Sequence, residues 1–320
     1  MGEMILITGA NGFVGRAAVQ AARSKEIEVT AVYRSTPSPE WASDPGITPL
    51  QADLSNPDCV PKLATAARTC GATIHAAAHL GGDAAHLEHD TRRATEILLS
   101  ALPKDMRLVL VSSIAVYDTL KLAPGDILTE DSPLETSDTA HDGYAKAKLQ
   151  QEELCQASGL STWILRPGAV YGPGRSWHAL MGFWASKLHV QISSDGQLPL
   201  VHVDHLADSL IQAALTAPKG TPVVNVIDDD LPTRARFLKA HRNCARWPHL
   251  TISISFKIWL LLARLLKPVS SKLPGLFQEP VLRARLMPLS FPNDALRAAL
   301  GGADRAPFEQ MLAQSVEQPK

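Results

Sequence analysis

The stretch MILITGANGFVGRAAVQAAR, from Met4 to Arg23, constrains this chain more than any other. An apolar run enters three glycines at even spacing, Gly9, Gly12 and Gly15, and an alanine-rich helical pattern leaves them. The spacing has a physical cause. The first glycine permits a tight turn, the second lets backbone amides approach a pyrophosphate, and the third lets the helix pack closely on the strand. The N-terminus of that helix attracts the anion. A strand before and a helix after therefore predict a dinucleotide site in the first turn, lined by Gly9, Asn11, Gly12, Phe13, Val14 and Gly15.

Short β-branched runs alternate with longer alanine- and leucine-rich patterns through the first half of the chain, which reads as successive βαβ units. Strands are predicted at Met4–Thr8, Ile27–Tyr33, Ile47–Leu50, Ala72–Ala76, Arg107–Ser112 and Ser161–Arg166. The expected fold class is α/β: a Rossmann-type doubly wound parallel sheet with a smaller, interleaved C-terminal substrate lobe. Residues 1–174, plus about 200–227, are assigned to the dinucleotide-binding domain, and 175–199 and 228–320 to the substrate lobe. The segments LPLVHVDHLADSLIQAAL and TPVVNVI are expected to return to the sheet.

Composition closes off several alternatives. The 31 basic and 32 acidic residues give a net charge of −1 without a basic run, so nucleic acid is not an expected partner. Cys59, Cys70, Cys155 and Cys244 are too scattered for a zinc or disulfide framework, and reduced thiols fit a cytoplasmic location. The N-terminus enters a strand pattern at once, with no signal-peptide layout, so export is not expected. FKIWLLLARLL, Phe256 to Leu266, is shorter than the ~20 residues of a spanning helix and contains Lys257 and Arg264. It is expected to be a buried helix of the second lobe, with a lid or a membrane-surface contact as alternatives.

The second strand ends in AVYRSTP, where an enzyme using NAD presents an acidic residue to the ribose hydroxyls. No acid lies between Val29 and Pro39. Arg34 and Ser35, with Thr36, offer instead a guanidinium fork and hydroxyls suited to a 2′-phosphate, so NADP(H) is expected in preference to NAD(H). Asp53 and Leu54 in QADL fall where an adenine lies, and Ala76, Ala77 and Ala78 let backbone pass close to the cofactor. In DGYAKAKLQQEEL, Tyr144 and Lys148 are one helical turn apart, so the ammonium is expected to bear on the phenol and favour its anion.

The strand RLVLVSSIAVY ends in Ser112 and Ser113, followed by Tyr117. Together with the glycine loop, the Tyr144/Lys148 pair and LRPGAVYGPG, in that order, it makes the sequence resemble the extended short-chain dehydrogenase/reductase family, also called the NAD-dependent epimerase/dehydratase family. The resemblance runs roughly from Met4 to Ile227. It implies that Ser113, Tyr144 and Lys148 are catalytic, that Ser112 and Lys148 contact the cofactor, and that Pro167, Gly168 and Val170 lie beside the nicotinamide. It also implies a homodimer through the Asp83–Leu102 and His141–Ser158 helices.

Two departures narrow the activity. Ile114 and Ala115 follow Ser113 where sugar dehydratases of the family carry an acidic pair, so dehydration is not expected. Asp90, in HDTRRAT, stands where the family places an asparagine. The expected protein is an NADP(H)-dependent oxidoreductase reducing a keto group on a nucleotide-linked sugar. A nucleotide-sugar 4-epimerase, a steroid- or lipid-type hydroxy/keto dehydrogenase and a non-catalytic NADP-binding sensor are the alternatives. His79, Arg175 and His178, with Ser113 and Tyr144, are the candidate substrate contacts. His75, His79, His86 and His89 lack a ligand signature, and no metal is expected. His202, Asp204 and His205 of VHVDH read either as the start of a helix or as a substrate contact.

Overall fold

The computed structural model describes residues 4–78 and 84–316, with backbone alone over 84–89 and at 271. The chain lays down β1 (Ile5–Thr8), α1 (Phe13–Arg23), β2 (Val29–Tyr33), β3 (Ile47–Gln51), α2 (Val60–Ala67), β4 (Ala72–His75), α3 (Ala84–Ala101), β5 (Arg107–Val111), α4 (Gly143–Ala157) and β6 (Ser161–Pro167). There follow β7 (Ala169–Tyr171), β8 (Phe183–Ala185), β9 (Leu188–Ser193), β10 (Leu200–His202), α5 (Val203–Leu215), β11 (Val223–Val226), α6 (Arg234–Ala245) and β12 (Leu250–Ser255). The C-terminal helices are α7 (Phe256–Leu265), α8 (Glu279–Leu286), α9 (Asp294–Leu300) and α10 (Phe308–Ser315).

Seven strands form one sheet in the order β11-β6-β5-β4-β1-β2-β3, every neighbouring pair parallel. The period of two is visible in β1, where Ile5 and Ile7 enter one core and Leu6 the other. The first core collects the alanine face of α1 with Leu206, Leu210 and Ile211 of α5, and Leu296 and Leu300 of α9 return to it. The second collects Leu63 of α2 and Ile97 and Leu98 of α3. With both faces covered, the strand order reverses between β1 and β4, and a crevice opens outside their carboxyl ends.

All six strands expected from the sequence are present, with ends shifted by a residue or two as Ala76 and Ser112 fall just beyond β4 and β5. The expected return to the sheet is half met. β11 pairs with β6 and becomes the edge strand of the sheet, whereas β10 pairs with β7 in a separate two-stranded ribbon. The cause lies at Pro167–Gly168, where the chain leaves β6. Gly168 donates its N–H to Val226 and Ala169 donates to Pro199, and a methyl group on Gly168 would sit 2.3 Å from the Pro199 oxygen. β12, β9 and β8 make a further three-stranded sheet that the sequence did not announce.

The expectation of a buried helix at 256–266 needs correction. Phe256, Trp259 and Ala263 of α7 are buried, but Ile258, Leu261 and Leu265 are 63%, 60% and 70% exposed. No helix among the described residues is long and apolar enough to cross a membrane.

Candidate active site

A cleft of about 760 Å³ opens at the crevice, bounded by the glycine loop, the ends of β2 to β6, the start of α4 and the last turn of α8. Gly9 holds φ at +66°, a conformation that favours glycine, and its oxygen accepts from Gly12 at 2.8 Å. A methyl group on Gly15 would lie 2.1 Å from that same oxygen, so the third glycine is what lets α1 start against the turn. α1 has no side-chain cap and no acid in its first turn. Its first N–H groups are therefore left for a ligand. Asn11 donates to the Thr36 oxygen, while its own Oδ1 is buried without a partner among the described residues. A glycine cradle, an uncapped helix start and an orphan acceptor fit a dinucleotide.

The strand ends extend the cradle. Gly9 lies so close to Ala76 and Ala77 that its missing Cβ would meet the Ala77 nitrogen at 2.8 Å, and Ala76, Ala77 and Ala78 all face the cleft. Arg34 lines the cleft and, with Ser35, is exposed at the end of β2. Asp53, Leu54, Phe13, Val14, Pro167, Gly168 and Val170 line it as well. Hydrogen bonds from the Ser55 N–H and hydroxyl hold the Asp53 carboxyl below the usual carboxylate range.

α4 begins where it does because Asp142 caps it, accepting from the Ala145 N–H at 2.9 Å. The cap sets Tyr144 in the first turn, facing the same cleft as Ser113, which lies just beyond the end of β5. One turn on, Lys148 is buried, and its Nζ donates to the Val111 oxygen at 2.7 Å and to Gln151 Oε1 at 2.8 Å. Burial lowers the Lys148 ammonium to about 8, against the opposing pull of the Glu152 charge. The expectation that Lys148 lowers the phenol is not met in this state of the chain. The ammonium is 5.9 Å from the Tyr144 ring centre and turned to other acceptors, and burial pushes the phenol up.

Two buried polar networks support these residues. Ser112, assigned above to the cofactor, gives its hydroxyl to Glu152, which binds Arg166 through both oxygens at 2.9 and 2.6 Å. Arg166 continues to the Tyr117 hydroxyl at 3.0 Å, which donates to Asn225 at 2.7 Å. Burial by itself would lower the Arg166 guanidinium, but the Glu152 hydrogen bonds and charge outweigh it and raise it. In the second network Gln151 reaches Thr95 at 2.8 Å and His75 at 3.2 Å, and His75 also pairs with Thr8 at 2.8 Å. Burial brings His75 down to about 3, so this ring is neutral and serves the packing between β4 and α4.

At the other end of the cleft stand His141, Asp142, His178, Leu180, Ala284 and Arg285. Burial and the nearby Arg285 lower His178 to about 4, and its Nδ1 accepts from the Leu180 N–H. Arg285 reaches Asp142 at 3.5 Å. Arg175 lines the cleft and lays its guanidinium over the Phe13 ring at 4.8 Å, beside the glycine loop. His79 and the side chains of His86 and His89 lie outside the described residues. His202 caps α5, accepting from the Asp204 N–H, so VHVDH is the start of a helix. Among the described residues His205, Asp228 and Asp304 form a tight group, but its atoms are taken up by one another, by Tyr171 and by the His202 and Arg305 N–H groups.

Arg285, Asp142 and Gln151 were missed in the sequence. Only Asp142 carried a signal, an acid directly before a helical run.

A doubly wound parallel sheet with a glycine turn at its switch point defines a Rossmann-type protein of the NAD-binding kind. The chain belongs to the NAD dependent epimerase/dehydratase family, whose model matches residues 5–226. It is 26% identical over 232 residues to the ceramide reductase of Caulobacter vibrioides (strain NA1000 / CB15N), a match covering 70% of this chain and 63% of that protein. The chain thus spans less than two thirds of that relative. It is 27% identical over 249 residues to the 3-diazoavenalumate denitrifying reductase of a Streptomyces species, covering 73% of this chain and 79% of that one. The Thermus thermophilus UDP-glucose 4-epimerase in complex with NAD superposes with a TM-score of 0.69 at 19% identity, over 98% of this chain and 97% of the other.

Proposed function

We propose that this chain is an NADP(H)-dependent ketoreductase acting through Ser113, Tyr144 and Lys148. The observation that carries the reading is the convergence of Tyr144 and Ser113 on the glycine-lined cleft, with Lys148 one helical turn on and its Nζ 5.9 Å from the Tyr144 ring centre. A bound nicotinamide supplies the hydride in reduction and accepts it in oxidation. Ser113 donates a hydrogen bond to the substrate carbonyl oxygen, and Tyr144 delivers its proton there, or removes one in the reverse direction. Gly9, Asn11, Gly12 and the start of α1 hold the pyrophosphate, and Lys148 holds the nicotinamide ribose. The residues assigned to 175–199 and 228–320 form the substrate lobe, apart from α9, which packs on the sheet. The outer faces of α3 and α4 pair two copies.

Arg34 and Ser35 hold the 2′-phosphate, which favours a net reductase over an epimerase that recycles a retained NAD. Arg34→Ala is expected to weaken NADP(H) binding by about 10- to 100-fold, the loss of hydrogen bonds to a charged group, and to leave NAD(H) binding unchanged. Titration calorimetry with both dinucleotides measures it. A native preference for NAD(H) that the substitution leaves untouched would remove the assignment.

For the substrate we favour the keto group of a nucleotide-linked sugar, because Arg285, weakly held by Asp142, is a cation available to a phosphate at the far end of the cleft. A lipid-type ketone is the second reading. It is favoured by the apolar lining of Ile114, Ala115, Leu180 and Ala284, and by the name of the ceramide reductase relative. NADPH consumption with nucleotide-linked 4-keto sugars against long-chain ketones decides. We expect kcat/KM to favour the former by about 100-fold, since losing a charge-assisted pair costs about that much. The reverse ranking selects the lipid reading. Turnover of neither, with NADPH still raising the melting temperature, leaves a binding protein.

A further inference from the structure

Helix α7 is apolar on both sides. One side, Phe256, Trp259 and Ala263, is buried against Leu276, Leu282 and Leu286. The other, Ile258, Leu261, Leu262 and Leu265, repeats at helical spacing and points outward, and Val269 continues it at 46% exposure. A helix that is apolar all round is expected in a core or in lipid, and no described element covers this half. The charges around it are mostly of one sign. From Phe256 to Gln278 the sequence holds Lys257, Arg264, Lys267 and Lys272 and no carboxylate, and the next residue, Glu279, pairs with Arg264 at 2.7 Å, which leaves the three lysines. A groove of about 400 Å³ opens beside the stripe, lined by Leu120, Ala263 and Phe277, by Lys267 and by the Arg264–Glu279 pair.

We propose that this face docks on an anionic lipid bilayer surface, with the leucines of α7 set into the interface and the surrounding cations over the lipid phosphates. An apolar stripe flanked by Lys257, Lys267 and Lys272, with the neighbouring acid Glu279 held by Arg264, has the composition of an interfacial helix. A second copy of the chain fits less well. Two-fold pairing through this stripe would bring Lys257, Lys267 and Lys272 against the same three of the partner, while the neighbouring carboxylate, Glu279, is taken up by Arg264 and Arg283. The docked helix packs on α8, which carries Ala284 and Arg285 into the far end of the cleft. The surface therefore lies one helix away from the place where a substrate enters. The inference concerns binding alone and stands whether or not the ketoreductase reading holds.

The full chain is mixed with vesicles of phosphatidylcholine, with and without phosphatidylglycerol, and separated by flotation. It is expected to float with the anionic vesicles, weakly or not at all with the neutral ones, and less as salt rises. Leu261→Glu/Leu265→Glu is expected to reduce anionic-vesicle binding by at least about tenfold, with melting temperature and dinucleotide binding unchanged. Lys257→Gln/Lys267→Gln is expected to remove the preference for anionic over neutral vesicles. Absence of flotation at low salt overturns the proposal, as does flotation that neither double variant alters. A native dimer that Leu261→Glu/Leu265→Glu splits into monomers would assign the face to a second copy and overturn it too.

Discussion

Tyr144→Phe is expected to lower kcat for reduction by about 10³-fold, within the range by which a positioned proton donor accelerates a reaction, and to leave NADPH affinity almost unchanged. The substitution removes one oxygen from a side chain that α4 positions through its Asp142 cap, so the ring, the cap and the glycine cradle all remain. NADPH consumption gives kcat, and thermal shift gives cofactor binding. The pH profile adds a test of sign. Burial raises the Tyr144 phenol, so it stays protonated through neutral pH and is ready to donate. Reduction should therefore hold through neutrality and fall only at alkaline pH, while oxidation, which needs the phenolate, should grow in the same direction. Lys148, lowered to about 8 by burial, gives up its charge as pH rises through that value, so dinucleotide affinity should decline there as well. A Tyr144→Phe enzyme of full activity would end the ketoreductase reading.

The second large effect is on stability. Glu152 and Arg166 are both almost fully buried, with side chains 4% and 3% exposed, and each satisfies the other. Glu152→Ala leaves the guanidinium buried without its carboxylate and the Ser112 hydroxyl without its acceptor, which should cost about 3–5 kcal/mol. Urea unfolding followed by circular dichroism measures it as a fall in midpoint at constant slope. The double replacement Glu152→Leu/Arg166→Met should recover much of the loss, because removing both charges removes the unpaired one. If Glu152→Ala unfolded at the native midpoint, the buried network would not be what joins β6 to α4.

The parts of this architecture that local sequence dictates were legible. A glycine triplet between a strand and a helix carries its own steric reason, and parallel strands covered on both faces announce themselves as short apolar runs. The pairing of β12 with β9 was not, because each partner has only six residues and they meet through a register such as Ile252 opposite Val190, far apart in the chain. Arg285 was missed for a related reason. It sits in a short helix without a motif, and only tertiary packing brings it to the cleft. Spacing also placed Tyr144 and Lys148 on one helix face but could not say where the ammonium points. That direction belongs to Gln151 and the Val111 carbonyl, and nothing in YAKAK reports on either.

The exit of the chain from β6 has a geometric consequence. With only hydrogen on its α-carbon, Gly168 acts as a shim of zero thickness between the floor of the cleft and the segment at Pro199 that leads into the β10 ribbon. Any larger residue there would press on the Pro199 oxygen from 2.3 Å, so the floor of the cleft and the ribbon would have to part to admit it.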